Sequence, residues 1–242
     1  MPNEQIIYFG DTAHLPYGDK SKKAIEKYSL KITDYLISKG CKLVVIACNT
    51  SSAYAYDAIK TKYGNSIDIV NVIDPMVELV SSNSSYQNVG VIGTKGTISS
   101  NIYQNKIADS NSSIVVASKS TALLAPLVEE NFSNTNISKL VIEKYLKQSD
   151  FMNIEALVLG CTHYPLLTDD FRAVLGRDID ILDSSKIVAS KVEQVLRSKN
   201  LLSIHKHGHH EFFISDYTDA FERNAKIFFG KEVHLEKKDL WV

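Results

Sequence analysis

Two apolar runs in this chain end in the same way, and they restrict what it can fold into. Leu43-Val44-Val45-Ile46-Ala47-Cys48-Asn49-Thr50 and Ala156-Leu157-Val158-Leu159-Gly160-Cys161-Thr162-His163 each read as a strand, a small residue, a thiol and then hydrogen-bonding side chains. Continuous apolar runs of this length suit strands covered on both faces, as in a parallel sheet. A helical pattern follows each run, so each thiol is expected between a strand's carboxyl end and a helix. Ligands of open α/β sheets bind at that edge. Two like units, each delivering one cysteine there, point to one substrate with a sulfur on either side.

The rest of the chain alternates in the same manner, the mark of an α/β fold. Ile6–Phe9 reads as a short strand, and residues 21–39 as a helix with Ile25, Tyr28, Ile32, Tyr35 and Leu36 on one face, ended by Gly40. A helix is expected from Ala53 to Tyr63, and a strand from Ile67 to Ile73 that stops at Asp74-Pro75. Residues 89–94 form the next strand, followed by a loop to Thr97 and a helix. Ile114–Ala117 is strand-like, and two helical stretches then run to about Lys147. After the Cys161 strand come a helix over 166–175, a strand over 179–182 and a long helix to about Asn200, with Ser184 as its cap. A linker over 201–210, a strand over 212–214 and a helix from Thr218 to Phe229 complete the series. With no long Pro/Gly-rich tether, a division into two domains must come from crossings of the chain, expected near residues 71 and 183. The fold class is α/β with two similar parallel-sheet domains, residues 1–71 plus 183–242 and residues 72–182, and a site between them.

Composition narrows the function. A net charge of -1 gives no electrostatic reason for a nucleic-acid or anionic-membrane partner. No apolar stretch approaches a bilayer-spanning length, and the first residues lack the pattern of a signal peptide. Three cysteines form no disulfide framework and suggest reduced thiols in a cytoplasm.

A free thiol has a pKa of about 8.5, so little thiolate exists at neutral pH. A helix N-terminus favours the thiolate through its unsatisfied N–H groups. A thiolate on one face of a carbon and a thiol on the other can remove a proton and return one from the opposite side, inverting a stereocentre without metal or cofactor. Cys41 opens its strand without the polar residues that follow the other two, and is read as structural. His163, two residues after Cys161, is placed to exchange a proton with it. Thr94 and Thr97, after the glycine-rich turn 90–96, offer hydroxyls for a carboxylate. The cluster His205, Lys206, His207, His209 and His210 matches no closed zinc pattern and is read as solvated. A reversible Cys48–Cys161 disulfide is a rival reading, although neither cysteine lies in a Cys-X-X-Cys motif.

Gly10-Asp11-Thr12-Ala13-His14-Leu15-Pro16-Tyr17-Gly18, Ala47-Cys48-Asn49-Thr50 and residues 160–167, Gly-Cys-Thr-His-Tyr-Pro-Leu-Leu, together resemble glutamate racemase. Pro126-Leu127-Val128-Glu129 and Ser215-Asp216 extend the resemblance over nearly the whole chain. It implies a cofactor-independent enzyme that interconverts L- and D-glutamate for peptidoglycan, with two α/β domains around the substrate and a homodimeric assembly. By motif, Cys48 and Cys161 correspond to the two acid/base thiols. Tyr17, Gly18, Asn49, Thr50, Thr162 and His163 correspond to amino-acid-binding positions, and Glu129 and His163 to residues that assist Cys161.

The resemblance also implies an N-terminal strand and an Asp-Ser loop ahead of the region where this sequence starts, about 25 to 30 residues for one βα unit. On that basis the strands beside it are expected to have open edges. Weak or absent activity is expected of the chain in this form. A related aspartate racemase and an inactive ligand-binding relative are the alternatives.

Overall fold

The structure is a computed structural model that describes residues 1–147, 149–176, 179–205, 208–217, 225 and 233–241. The first half runs β1 (Ile7–Gly10), α1 (Lys22–Ser38), β2 (Leu43–Ile46), α2 (Asn49–Tyr63), β3 (Asp68–Asn71), α3 (Asp74–Ser82), β4 (Asn88–Gly93), α4 (Lys95–Ser99) and α5 (Ile102–Ser110). The second half runs β5 (Val115–Ser120), α6 (Leu124–Glu129), α7 (Asn136–Leu146), β6 (Ala156–Gly160), α8 (Thr168–Leu175), β7 (Asp180–Leu182), α9 (Ser184–Ser198), β8 (Glu211–Ile214) and β9 (Glu236–Lys237).

Every described strand pair is parallel. The largest sheet has the order β5-β4-β6-β7, with β2-β3 and β1-β8-β9 as two further sheets. Both faces of the four-stranded sheet are covered, which explains why the central β6 is apolar throughout. One cluster joins Val89, Val91 and Val158 to α3 and α5 through Met76, Val80, Tyr103 and Ile107. The other joins Leu157 and Leu159 to α7 and α8 through Ile142, Leu146 and Phe171. A smaller core of Ile25, Ile46, Ala55, Ile59 and Ile69 packs α1 and α2 on β2-β3. Tyr35 of α1 meets Phe9 of β1 and Phe213 of β8 edge-on.

Among the described residues β1 pairs only with β8, and β2 only with β3. Val45 of β2 is accordingly 39% exposed, although it lies in the middle of an apolar run. The opposite face of the β1-β8-β9 sheet borders a cavity of about 780 Å³ lined by Ile6, Tyr8, His210, Phe212, His234 and Glu236, among others. None of the three cysteines lines it.

Several boundaries differ from the sequence expectation for local reasons. α2 starts at Asn49 rather than near Ala53, because its first turn is polar and carries no apolar period. The loop expected up to Thr97 is the first turn of α4, capped by the Thr94 hydroxyl accepting from the Thr97 N–H. Asp74-Pro75 ends β3 and at the same time begins α3, with proline in the first turn where no N–H is needed. The cap of α9 is Asp183, whose carboxylate accepts from the Ser185 N–H, and Ser184 is already helical. The expected helix over 218–229 lies outside the described residues apart from Ala225, and Lys206 and His207 lie outside them too. His210 accepts a hydrogen bond from the Ile6 N–H at 3.2 Å, while His205 and His209 are exposed. The described residues contain no group of three His, Cys, Asp or Glu able to hold a metal. None of their helices is long and apolar enough to cross a membrane.

Candidate active site

The two cysteines stand where the strand ends put them. Cys48 follows β2 and occupies the cap position of α2, and Cys161 follows β6 at the head of a short turn of helix over Tyr164–Leu167. Both are free thiols, Cys161 at 7% exposure and Cys48 more open. Gly160 brings the end of β6 close to β4. A Cβ there would meet the Ile92 carbonyl oxygen at 2.6 Å, so no larger residue fits before Cys161.

Burial pushes the Cys48 thiol up, and the nearby charge of Cys161 pushes it further. The Ser51 amide and hydroxyl and the Thr50 amide, at the open end of α2, pull the other way. Burial wins, so the helix end moderates a raised pKa and does not produce the lowered one that the sequence suggested.

His163 connects Cys161 to a carboxylate. Its Nδ1 lies 3.7 Å from the Cys161 sulfur, and its Nε2 lies 3.1 Å from Glu129 Oε1 at the end of α6. Burial opposes the charge on this imidazole. The hydrogen bonds to Cys161 and Glu129, with their charges, outweigh it and raise the pKa to about 10. Both partners thus favour the charged form of the imidazole beside the sulfur. Tyr164 anchors the turn from the other side: its hydroxyl donates to the Thr121 carbonyl at 3.0 Å and accepts from the Thr121 hydroxyl at 2.9 Å. Both residues are fully buried.

At the first turn of α2, after Cys48, polar side chains from separate parts of the chain meet. Thr50 of α2 bonds Thr94 at 2.8 Å and Thr97 at 3.2 Å, and Thr94 bonds Thr97 at 3.0 Å, closing a triangle of hydroxyls. The Thr94 and Thr97 hydroxyls are therefore engaged with each other and with Thr50, not free as the sequence suggested. Asn49, 2% exposed, accepts from the Tyr103 hydroxyl at 2.7 Å, and its amide nitrogen has no partner among the described residues. Gly18 presses on the same seam, where a Cβ would meet Thr94 Cβ at 2.6 Å. Tyr17 donates to Asp11 at 2.6 Å; burial and that bond raise its pKa, and the charge of Cys48 adds to the effect. Thr162 is exposed beside Cys161. Cys41 precedes β2 as a half-buried free thiol, seven positions from Cys48.

Of the predicted site residues, the structure joins His163 to Cys161 and Glu129, and Thr50, Thr94 and Thr97 to one another. Sequence reasoning missed Tyr103, Thr121, Tyr164 and Asp11 as supports. For Asp11 a signal existed, since an acidic residue inside an apolar-to-loop junction must find donors when buried.

The profile of the Asp/Glu/Hydantoin racemase family matches residues 1–192. The chain belongs to that family. A glutamate racemase of Persephonella marina is 38% identical over 240 residues, covering 99% of this chain and 89% of the relative. One of Chlorobium phaeobacteroides is 40% identical over 234 residues, covering 96% and 86%. The crystal structure of glutamate racemase from Francisella tularensis in complex with D-glutamate superposes with a TM-score of 0.92 at 36% identity, covering 99% of this chain and 89% of that one. This racemase family's two-domain α/β fold, expected from the sequence, is the fold of the chain.

Proposed function

We propose that this chain interconverts L- and D-glutamate by proton transfer between Cys48 and Cys161. The observation that carries the reading is a free thiol at each of two strand ends, Cys48 capping α2 and Cys161 in contact with His163. One sulfur, as thiolate, takes the α-hydrogen as a proton and leaves its electron pair on the α-carbon. The opposite thiol then gives a proton to the other face, so one C–H bond breaks, one forms, and the two sulfurs exchange protonation states. A raised Cys48 pKa suits this task, because a thiolate that forms less readily is a stronger base. His163, between Cys161 and Glu129, can replenish or withdraw the proton on its sulfur. The unpartnered Asn49 amide is the free donor we assign to the substrate; Thr50, Thr94 and Thr97, whose hydroxyls bond one another, and Tyr17, Gly18 and Thr162 are the other residues we assign to its binding. The named relatives favour glutamate over aspartate, and through that role D-glutamate for peptidoglycan.

We read residues 1–71 with 183–242 as one domain and 72–182 as the other. In support, β4 to β7 form one sheet, while the remaining strands lie outside it. We infer a homodimer from the resemblance and a cytoplasmic setting from the cysteine content, and sedimentation at monomer mass would remove the dimer.

The test is deuterium incorporation at the α-carbon in D2O with glutamate and aspartate in parallel, alongside calorimetry with D-glutamate. In a form of the protein that racemises glutamate, Cys48→Ser and Cys161→Ser are each expected to abolish racemisation, with Cys41→Ser tolerated. Racemisation retained in either of the first two variants removes the two-thiol mechanism. Preference for aspartate overturns the substrate, and D-glutamate binding without exchange turns the protein into a binding-only relative.

A further inference from the structure

Asp11 is a buried carboxylate, its side chain 3% exposed, and three donors from separate places converge on it. Tyr17 Oη lies 2.6 Å away, Ser215 Oγ at the end of β8 lies 2.7 Å away, and His14 Nδ1 lies 2.9 Å from both carboxylate oxygens. A carboxylate out of water needs such partners, so their arrangement is fixed by Asp11 as much as Asp11 is held by them.

His14 is in turn clamped. Its ring stacks on Tyr28 of α1 at 3.9 Å and takes the edge of Trp241 at 4.6 Å, while Trp241 also meets Tyr28 at 5.2 Å. Lys31 Nζ lies 5.5 Å over the indole. The segment that carries Trp241 is tied down by β9 on β8, by Lys238 N–H to the Ile214 carbonyl at 2.8 Å and by Lys237 to Asp216 at 2.6 Å. One continuous path therefore runs from the chain's last described residue through His14 and Asp11 to Tyr17, and the next residue, Gly18, sits against Thr94, which bonds Thr50 in the first turn of α2 that Cys48 caps.

We propose that Trp241 and His14 are positioning residues that hold Tyr17 and the turn 17–19 against the Cys48 side of the site through Asp11. The role rests on the reading of Cys48 as an acid/base thiol, but its test need not. Alkylation of each cysteine by iodoacetamide, followed by peptide mapping, reports the packing over Cys48 directly, with Cys41 as the internal control. Trp241→Ala is expected to raise the Cys48 labelling rate roughly 2- to 12-fold, the worth of the His14–Trp241 contact, the one of its two aromatic contacts that lies on the path to Asp11. Cys41 labelling should be unchanged, and Trp241→Phe should restore most of the protection. In turnover the same variant should lower kcat/KM by a similar factor, again with rescue by Phe.

If all three cysteines of Trp241→Ala label alike, the variant has unfolded and His14→Phe decides. It keeps a ring between Tyr28 and Trp241 but loses the bond to Asp11, and Cys48 alone should label faster. Trp241 is the single tryptophan, so its emission should also shift in Tyr17→Phe without any ligand. Unchanged Cys48 labelling in a folded Trp241→Ala, or in His14→Phe, overturns the proposal. If no form of the protein turns over glutamate, the functional reading fails while the labelling result still decides this one.

Discussion

Replacing Gly18 by alanine tests the geometry of the site at its tightest point. The new Cβ would stand 2.6 Å from Thr94 Cβ, 3.0 Å from Cγ2 and 3.1 Å from Oγ1, whereas ordinary contact begins near 3.4 Å. The turn 17–19 and the head of α4 must therefore separate by at least 3.4 − 2.6 = 0.8 Å. Thr94 cannot simply rotate away, because its hydroxyl is bonded to Thr50 and Thr97 and caps α4. A misplacement of about 1 Å near reacting groups can cost on the order of 10²-fold in rate, or about 2.7 kcal/mol in the barrier. Gly18→Ala is thus expected to lower kcat/KM for glutamate about 10²-fold in a stereochemical assay by circular dichroism. Overpacking should also cost about 1 to 3 kcal/mol of stability, read by chemical denaturation. Gly208→Ala is the control, since a Cβ there meets nothing within 4 Å. Unaltered kinetics in Gly18→Ala, or equal losses in both variants, would refute the reasoning.

Two further expectations concern the supports of Cys161. The His163 pKa is raised from 6.5 to about 10, so its pairing with Cys161 and Glu129 adds stability that is complete below about pH 6.5 and disappears as pH climbs through about 10. His163→Asn should therefore flatten the alkaline fall of Tm, and parallel Tm–pH curves for the two proteins would remove that explanation. Thr121→Val leaves the buried Tyr164 hydroxyl without one of its bonds and should destabilise by about 1 to 3 kcal/mol. Denaturant midpoints indistinguishable from the parent would mean that the turn after Cys161 is held by other contacts.

What could be seen in the sequence is what repeats along it. The strands at 43–46 and 156–160 are runs of apolar residues, and α1 carries a helical period, so their places follow from local pattern. The thiols were legible for the same reason, because each interrupts such a run at its end. The first turn of α2, Asn49-Thr50-Ser51-Ser52, has no apolar period, and its helicity is a consequence of where β2 stops. Other features depend on partners far away in the chain: Tyr103 on Asn49, Thr121 on Tyr164, Ser215 on Asp11 and Trp241 on His14. Each is an ordinary residue in its own neighbourhood, and only the folded arrangement gives it a task. Gly18 belongs with them, since its lack of a side chain matters only because Thr94 arrives opposite.

The ring formed by Thr50, Thr94 and Thr97 has an arithmetic of its own. A hydroxyl owns one hydrogen but two lone pairs, so a closed ring spends every hydrogen and keeps acceptors to spare. An anion reaching this seam can gain a hydrogen only by opening one link between α2 and α4. Capturing a negatively charged guest and loosening the contact between α2 and the head of α4 are then a single event, and the guest's departure reseals it.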